Sequence, residues 1–476
     1  MRLGIADESR ATSPTGIEPE LDGSPIQQPA DRFRDHAASA AVILMLGWWA
    51  TYFLWGTGGR EPHVLSISCG LLLLSTVLVR PWRVLGPRPV LLGCSVGAAA
   101  FGVVLTAPTG WAGAHEAASY THAALIGVVV LAWAGTAGRR LVLHVTVVAA
   151  AGMQFSQGWL AWWGEGNQAS QFVGTIYASN QAGIFLAAGA LLAFGAVTGR
   201  RTTLAPLGWV VGPLAGAGVV FSASRGSQLG LVLGIALLLA LAIVAGQRTG
   251  ACRLLGAVAA SGLVAYALSG PPFFAQRLSA IAATEEKAGS FLSNGVARLE
   301  GWRRALAIFH EWPVSGAGFY SYDDATDIAT TKRGDLVTAF AHNGFLQVLS
   351  DGGLVLAVPV FAALTIVVVR AVRALPGSVR TAEFGQLTGS VTLLVLLLHS
   401  GMDFDWTYPG LLSLASLVAV LALPLPEDRS GRADRSGMVL GLVAAALLTV
   451  SAVAAWNGGL DLNSPIPADS TALIAD

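Results

Sequence analysis

The sequence predicts an all-α protein: a polytopic transmembrane helical bundle of about 12–13 spans with one long extracytoplasmic loop containing short helices. Three observations lead there. Charged residues make up 12% of the chain and apolar residues 54%, whereas a soluble domain carries about 25% charged residues. Apolar runs of roughly 18 residues or more recur along the whole length, too long for barrel strands. Arginines gather in alternate connections, as expected of a chain that crosses a bilayer repeatedly.

The expected spans are Ala37–Trp55, His63–Leu78, Val90–Ala107, Thr121–Gly138, Leu141–Gly158, Ile176–Val197, Leu204–Ser222, Gly226–Ala245 and Ala251–Ser269. After a polar stretch come Gly353–Val372, Phe384–Met402, Tyr408–Leu423 and Gly437–Ala455. The domain organisation is therefore a disordered cytoplasmic N-terminal tail (1–36), a first part of the bundle (37–269), an extracytoplasmic loop (270–341), a second part of the bundle (342–455) and an extracytoplasmic C-terminal tail (456–476). The tail at 1–36 is polar and has no apolar core of the signal-peptide kind.

Orientation follows from the connections bearing Arg80, Arg83 and Arg88, then Arg139 and Arg140, Arg200 and Arg201, Arg248 and Arg253, Arg370, Arg373 and Arg380, and Arg429, Arg432 and Arg435. These lie on one side, with Arg32 and Arg34, and mark the cytoplasm. Formal net charge is zero, so bulk charge points to no nucleic-acid partner. Cys69, Cys94 and Cys252 fall in or beside apolar runs without metal spacing and read as small core residues.

Two short connections on the other side hold an arginine. Arg60, flanked by Glu61, reads as a solvated turn. Arg225, in Ser-Ala-Ser-Arg-Gly-Ser, sits at the lip of a span among small residues, and a charge at membrane depth is by default a functional candidate. Trp159–Gly174, with Trp159, Trp162, Trp163 and Glu165, reads as an interfacial amphipathic piece. Asn180 and Gln181 enter the next span, where amides either bond a neighbouring helix or line a cavity.

Within the long loop, Leu292–His310 has helical periodicity with Arg298, Trp302, Ala305 and Phe309 on one face; Pro313 ends it, and Gly316, Gly318 and Tyr320 form a turn. Asp323, Asp324 and Asp327 lack the spacing of a calcium loop and read as solvated, followed by Lys332 and Arg333. Asp403 and Asp405 lie on the same outer side and either orient an acceptor or pair with an arginine. His342 has the best chemical context of the 8 histidines. It stands where loop meets span, beside Asn343 and Gln347, and imidazole is the usual general base for a hydroxyl.

Gly174-Thr175 with Asn180, Ser224-Arg225-Gly226, Arg298-Leu-Glu-Gly-Trp302, Pro313-Val-Ser-Gly316-Ala-Gly318 and His342-Asn343-Gly-Phe-Leu-Gln347 follow one another between Trp159 and Leu423. In this order they resemble the O-antigen ligase and O-antigen polymerase superfamily of bacterial membrane glycosyltransferases. The resemblance implies inverting, metal-independent transfer, with no cofactor, of a glycan from a polyprenyl-diphosphate carrier. The acceptor is a hydroxyl on a glycan, lipid or protein at the extracytoplasmic face of the bacterial inner (cytoplasmic) membrane. Membrane lipids are the remaining partner. The catalytic residues implied are His342 as base and Arg298 and Arg225 as cations for the departing diphosphate, a task suited to the guanidinium fork. Asn180, Asn343, Trp302 and Tyr320, in or beside these motifs, are the expected substrate contacts. The alternative, a transporter or flippase for a lipid-linked glycan, predicts internal repeats and broken helices at the midplane, and no repeat is visible. A non-catalytic envelope-assembly scaffold would need none of the three catalytic candidates.

Overall fold

The computed structural model describes residues 29–55, 57–107, 110–164, 171–176, 178–199, 203–282, 286–322, 325–326, 340–425 and 435–458. Asp323, Asp324, Asp327, Lys332, Arg333 and Glu165 lie outside the described residues, as do Arg200, Arg201, Arg429, Arg432 and most of the two expected tails.

The described residues form helices and connecting turns, with no strand among them. The helices are α1 (Pro29–Trp48), α2 (Pro62–Val79), α3 (Pro87–Thr106), α4 (Ala114–Trp133), α5 (Ala137–Gly164), α6 (Ser179–Thr198), α7 (Ala205–Ser222), α8 (Arg225–Val244), α9 (Arg248–Ala282), α10 (Glu286–Glu311), α11 (Gly344–Thr381), α12 (Phe384–Ser400), α13 (Pro409–Ala422) and α14 (Arg435–Gly458). Eleven of the described helices are long and apolar enough to cross a membrane; α12 and α13 are shorter apolar helices. Each coincides with an expected span, and the chain is a polytopic helical bundle.

Helix α6 is the axis. It packs on α5, α7, α8, α9 and α12 and is buried along its apolar length. Small residues let the backbones approach: Gly208 faces the Ala193 carbonyl and Gly212 the Phe194 ring. A second group forms where α14 packs on α2, α3 and α4. Helix α13 joins the two by packing on both α4 and α12. Polar side chains stitch the interior where water is absent: His122 bridges Ser68 Oγ at 2.8 Å and Ser413 Oγ at 3.1 Å. At the arginine-bearing end, Arg139 binds Asp35, and Arg140 donates to the Leu423 and Pro424 carbonyls at 2.6 and 2.9 Å.

Four expectations are corrected. The segment holding Trp159, Trp162 and Trp163 is no separate interfacial piece; it forms the last turns of α5, and Trp162 is buried against Phe172 and Phe221. Helix α4 begins at Ala114, seven residues before Thr121, because the polar first turn with His115 and Glu116 is itself buried. Cys252 is exposed, unlike the buried Cys69 and Cys94. Arg60 is not a solvated turn: its guanidinium lies 5.1 Å from the centre of the Tyr408 ring and interacts with Tyr320.

Two backbone breaks set the loop end of the bundle. Gly270 (φ 74°) ends the apolar part of α9 before Pro271 and Pro272. Gly353 (φ 53°) breaks α11, separating a short leading segment from the long apolar run. The break exposes backbone groups, and the turn after α10 takes them. Ala317 and Gly318 N–H donate to the Ser350 and Asp351 carbonyls at 2.8 and 2.9 Å, while Leu354 and Val355 N–H donate to the Pro313 and Val314 carbonyls at 2.9 and 3.0 Å. Neither glycine of the crossing has room for a Cβ: on Gly316 it would strike the Asp351 and Gly352 backbone, and on Gly353 the backbone of Gly316 and Val314. This four-bond clasp satisfies groups that a helix break would otherwise leave orphaned.

Candidate active site at the loop end of the bundle

The site is built around Asp403, in the turn between α12 and α13. Its Oδ2 accepts from Asn180 Nδ2 at 2.8 Å; its Oδ1 accepts from Gln181 Nε2 at 3.2 Å and from the Phe404 N–H at 2.9 Å. Arg298 Nη2 lies 3.5 Å from Oδ2, and His342 Nδ1 lies 3.5 Å from Oδ1. The Asp403 side chain is 2% exposed, against 35% for Arg298 and 28% for His342. A buried carboxylate must be paired and hydrogen-bonded to remain ionised. Burial alone would raise the Asp403 pKa, but His342, with His399 and Arg298 behind it, outweighs burial and holds the carboxyl below its usual range.

His342 is aimed at this hub by its backbone. Its φ is +48°, a conformation that L-residues other than glycine adopt at a penalty of about 1–2 kcal/mol. Both flanks are held. The Ala341 N–H donates to Gln347 Oε1 at 2.7 Å, and Gln347 Nε2 in turn donates to Asp351 at 2.8 Å. Asn343 caps α11, accepting from the Phe345 and Leu346 N–H groups at 3.0 and 3.1 Å, and its Nδ2 donates to the Gly401 carbonyl at 2.8 Å. The imidazole stands edge-on to Phe404 with centroids 5.0 Å apart. Nδ1 has no hydrogen-bond partner among the described residues; it faces Asp403 Oδ1 at 3.5 Å.

Arg225 is the first residue of α8, and its side chain is exposed. The turn that carries it is bonded into the same end of the bundle. Ser224 Oγ caps α8 by accepting from the Ser227 N–H at 3.3 Å; Ser227 Oγ donates to the Asn180 carbonyl at 3.1 Å and lies 3.3 Å from His399 Nε2. His399 Nδ1 pairs with Asp405 Oδ2 at 2.7 Å, and Ser400 Oγ reaches the same oxygen at 3.1 Å. A second histidine–aspartate pair thus backs the first.

Of the expected substrate contacts, Asn180 donates its amide to Asp403, and Asn343 uses both ends of its side chain to fix the start of α11. Trp302 donates from Nε1 to the His342 carbonyl at 3.3 Å. Tyr320, at φ +60° and 44% exposed, stands apart beside Arg60. Sequence reasoning did not single out Asp403 as the hub, nor His399; Gln181, noted with Asn180 as an amide entering a span, donates to the same carboxylate. The nearest signal was the Asp403-Phe-Asp405 pair with its option of an arginine partner.

Chemically, one buried carboxylate fixes a guanidinium and an imidazole side by side. Each keeps part of its surface open, so the remaining Arg298 donors and His342 Nε2 are left for a ligand. No curated protein matches the chain. Residues 209–361 match the family model described as O-antigen ligase. The match takes in α8 with Arg225, α10 with Arg298 and the first part of α11 with His342, and it supports membership of this chain in the O-antigen ligase and polymerase family of surface-polysaccharide enzymes.

Proposed function

We propose that the protein is an inner-membrane glycosyltransferase that moves a glycan from a polyprenyl-diphosphate carrier onto an acceptor hydroxyl at the extracytoplasmic face. One observation carries this reading: Arg298 and His342 approach the same buried carboxylate, on opposite oxygens. The leaving group is a membrane-anchored diphosphate, and fixed cations where its charge develops supply the largest catalytic contribution. Arg298 is one such cation, and Arg225, at the open start of α8, is the second. His342, oriented by Asp403 through Nδ1, takes the acceptor proton on Nε2 as the hydroxyl oxygen bonds the anomeric carbon and the carrier diphosphate departs. A single displacement of this kind inverts the anomeric centre, and the residues named supply its base and its cations.

The test is glycan transfer in membranes supplied with a polyprenyl-diphosphate-linked glycan. His342→Ala should lower the rate roughly 10²–10⁴-fold, with Arg298→Ala falling comparably. Transfer at the parental rate in either variant removes the catalytic assignment. Loss of donor appearance on the outer leaflet, with transfer chemistry intact, would instead favour a flippase.

A further inference from the structure

We infer that a second polar patch, formed by Arg60, His115, Glu116, Tyr320 and Tyr408, is the subsite for the acceptor's sugar; this rests on the glycosyltransferase reading above. The patch begins next to the site. His342 meets Phe404 at 5.0 Å, Phe404 meets Tyr408 with centroids 6.3 Å apart, and Arg60 lies over Tyr408 at 5.1 Å. Beyond it, the Tyr320 phenol faces both Arg60 and Glu116.

Its buried members are unfinished. His115 and Glu116 are 5% and 7% exposed. Among the described residues, neither ring nitrogen of His115 nor Oε2 of Glu116 has a hydrogen-bond partner; His115 Nδ1 and Glu116 Oε2 come no closer than 3.7 Å. Buried polar atoms are nearly always hydrogen-bonded, and those that are not require an explanation. A ligand with several hydroxyls provides one.

The chemistry selects the ligand class. Glu116 opposes an anion and Arg60 opposes a cation, so a neutral group is favoured. A sugar hydroxyl both donates and accepts, which suits a carboxylate, an imidazole and a guanidinium together. Tyr320, which is 44% exposed, offers a flat apolar face for the C–H surface of a pyranose, while the buried Tyr408 supports Arg60 from beneath. The patch adjoins His342 through Phe404, and Arg298 adjoins it through Asp403, so an acceptor held in the patch would lie within reach of the imidazole and the guanidinium.

The experiment uses the full chain in lipid nanodiscs and three probes: methyl α-D-mannoside, methyl β-D-galactoside and methyl α-L-rhamnoside. Saturation-transfer NMR should detect binding of at least one. Glu116→Gln and Arg60→Gln should each weaken it tenfold or more. His342→Ala should leave glycoside binding intact while transfer from the carrier-linked glycan is lost. Should the buried substitutions fail to fold, Tyr320→Ala, at an exposed position, provides the same readout. Absence of binding by all three probes, or binding unchanged in every folded patch variant, overturns the subsite. Glycoside binding that needs Glu116, with transfer indifferent to His342, would instead overturn the transferase reading and leave the subsite standing.

Discussion

Replacing Asp403 by asparagine keeps the side chain's shape and removes its charge, and the geometry fixes the consequence. Oδ1 is approached by Gln181 Nε2, the Phe404 N–H and His342 Nδ1; Oδ2 is approached by Asn180 Nδ2 and Arg298 Nη2. An asparagine has a single acceptor oxygen. Whichever way the amide turns, its NH₂ meets donors on one side. At least one charge-assisted bond is lost, worth about 1.5–3 kcal/mol, and a buried donor is left unsatisfied, at about 1–3 kcal/mol. If roughly 3–4 kcal/mol of this falls on the transition state, kcat drops about 10²–10³-fold. Asp403→Glu should rescue little, because its longer side chain cannot keep all five approaches. The assay is glycan transfer in membranes containing equal amounts of folded protein, with thermal unfolding measured in parallel. Parental kcat in a folded Asp403→Asn variant would refute the hub.

Three further outcomes are expected. Gly353→Ala should destabilise the protein by roughly 2 kcal/mol or more, since the position has φ +53° and a Cβ there would strike the Gly316 N–H and the Val314 carbonyl; thermal unfolding in detergent measures it. Trp302→Phe removes the indole bond to the His342 carbonyl and should lower kcat by about fivefold, the value of one neutral hydrogen bond of about 1 kcal/mol, with donor KM unchanged. Asp403 has a folded pKa held below its unfolded value by His342, His399 and Arg298 acting against burial. Its contribution to stability is therefore complete above an unfolded pKa of about 3.9 and is lost as pH falls through the lower folded value. Acid titration of unfolding should show this limb in the parent and not in Asp403→Asn.

The spans were legible because hydropathy, arginine alternation and the absence of other membrane-compatible folds all point the same way. Their ends were less so. Helix α4 starts early because its first turn, with His115 and Glu116 that look like loop residues, is buried; Phe319 packs on Gly113 and Tyr320 faces Glu116, contacts invisible to local pattern. Trp159 and its neighbours look interfacial by composition, yet Phe172 and Phe221 return across the chain to bury Trp162. Gly270, beside two prolines, was expected to open the polar loop and Gly353 to open a span; the structure instead runs helix through both positions with a backbone break at each. Arg225, Arg298 and His342 were expected to converge on one pocket; that Arg298 and His342 both approach Asp403 was not read, since Asp403 lies 105 residues from Arg298 and only tertiary structure brings it there. Arg60 was misread for the same reason: its partner rings, Tyr320 and Tyr408, are distant in sequence.

The clasp between 313–318 and 350–355 has one more implication. Ala317 and Gly318 are tied to Ser350 and Asp351, and Ala341 is tied to Gln347, so the chain between them leaves and rejoins the same short stretch of α11. The turn after α10 and the approach to His342 are thus fastened to one short stretch of α11, so any change that shifts residues 347–351 would displace the clasp and the imidazole together.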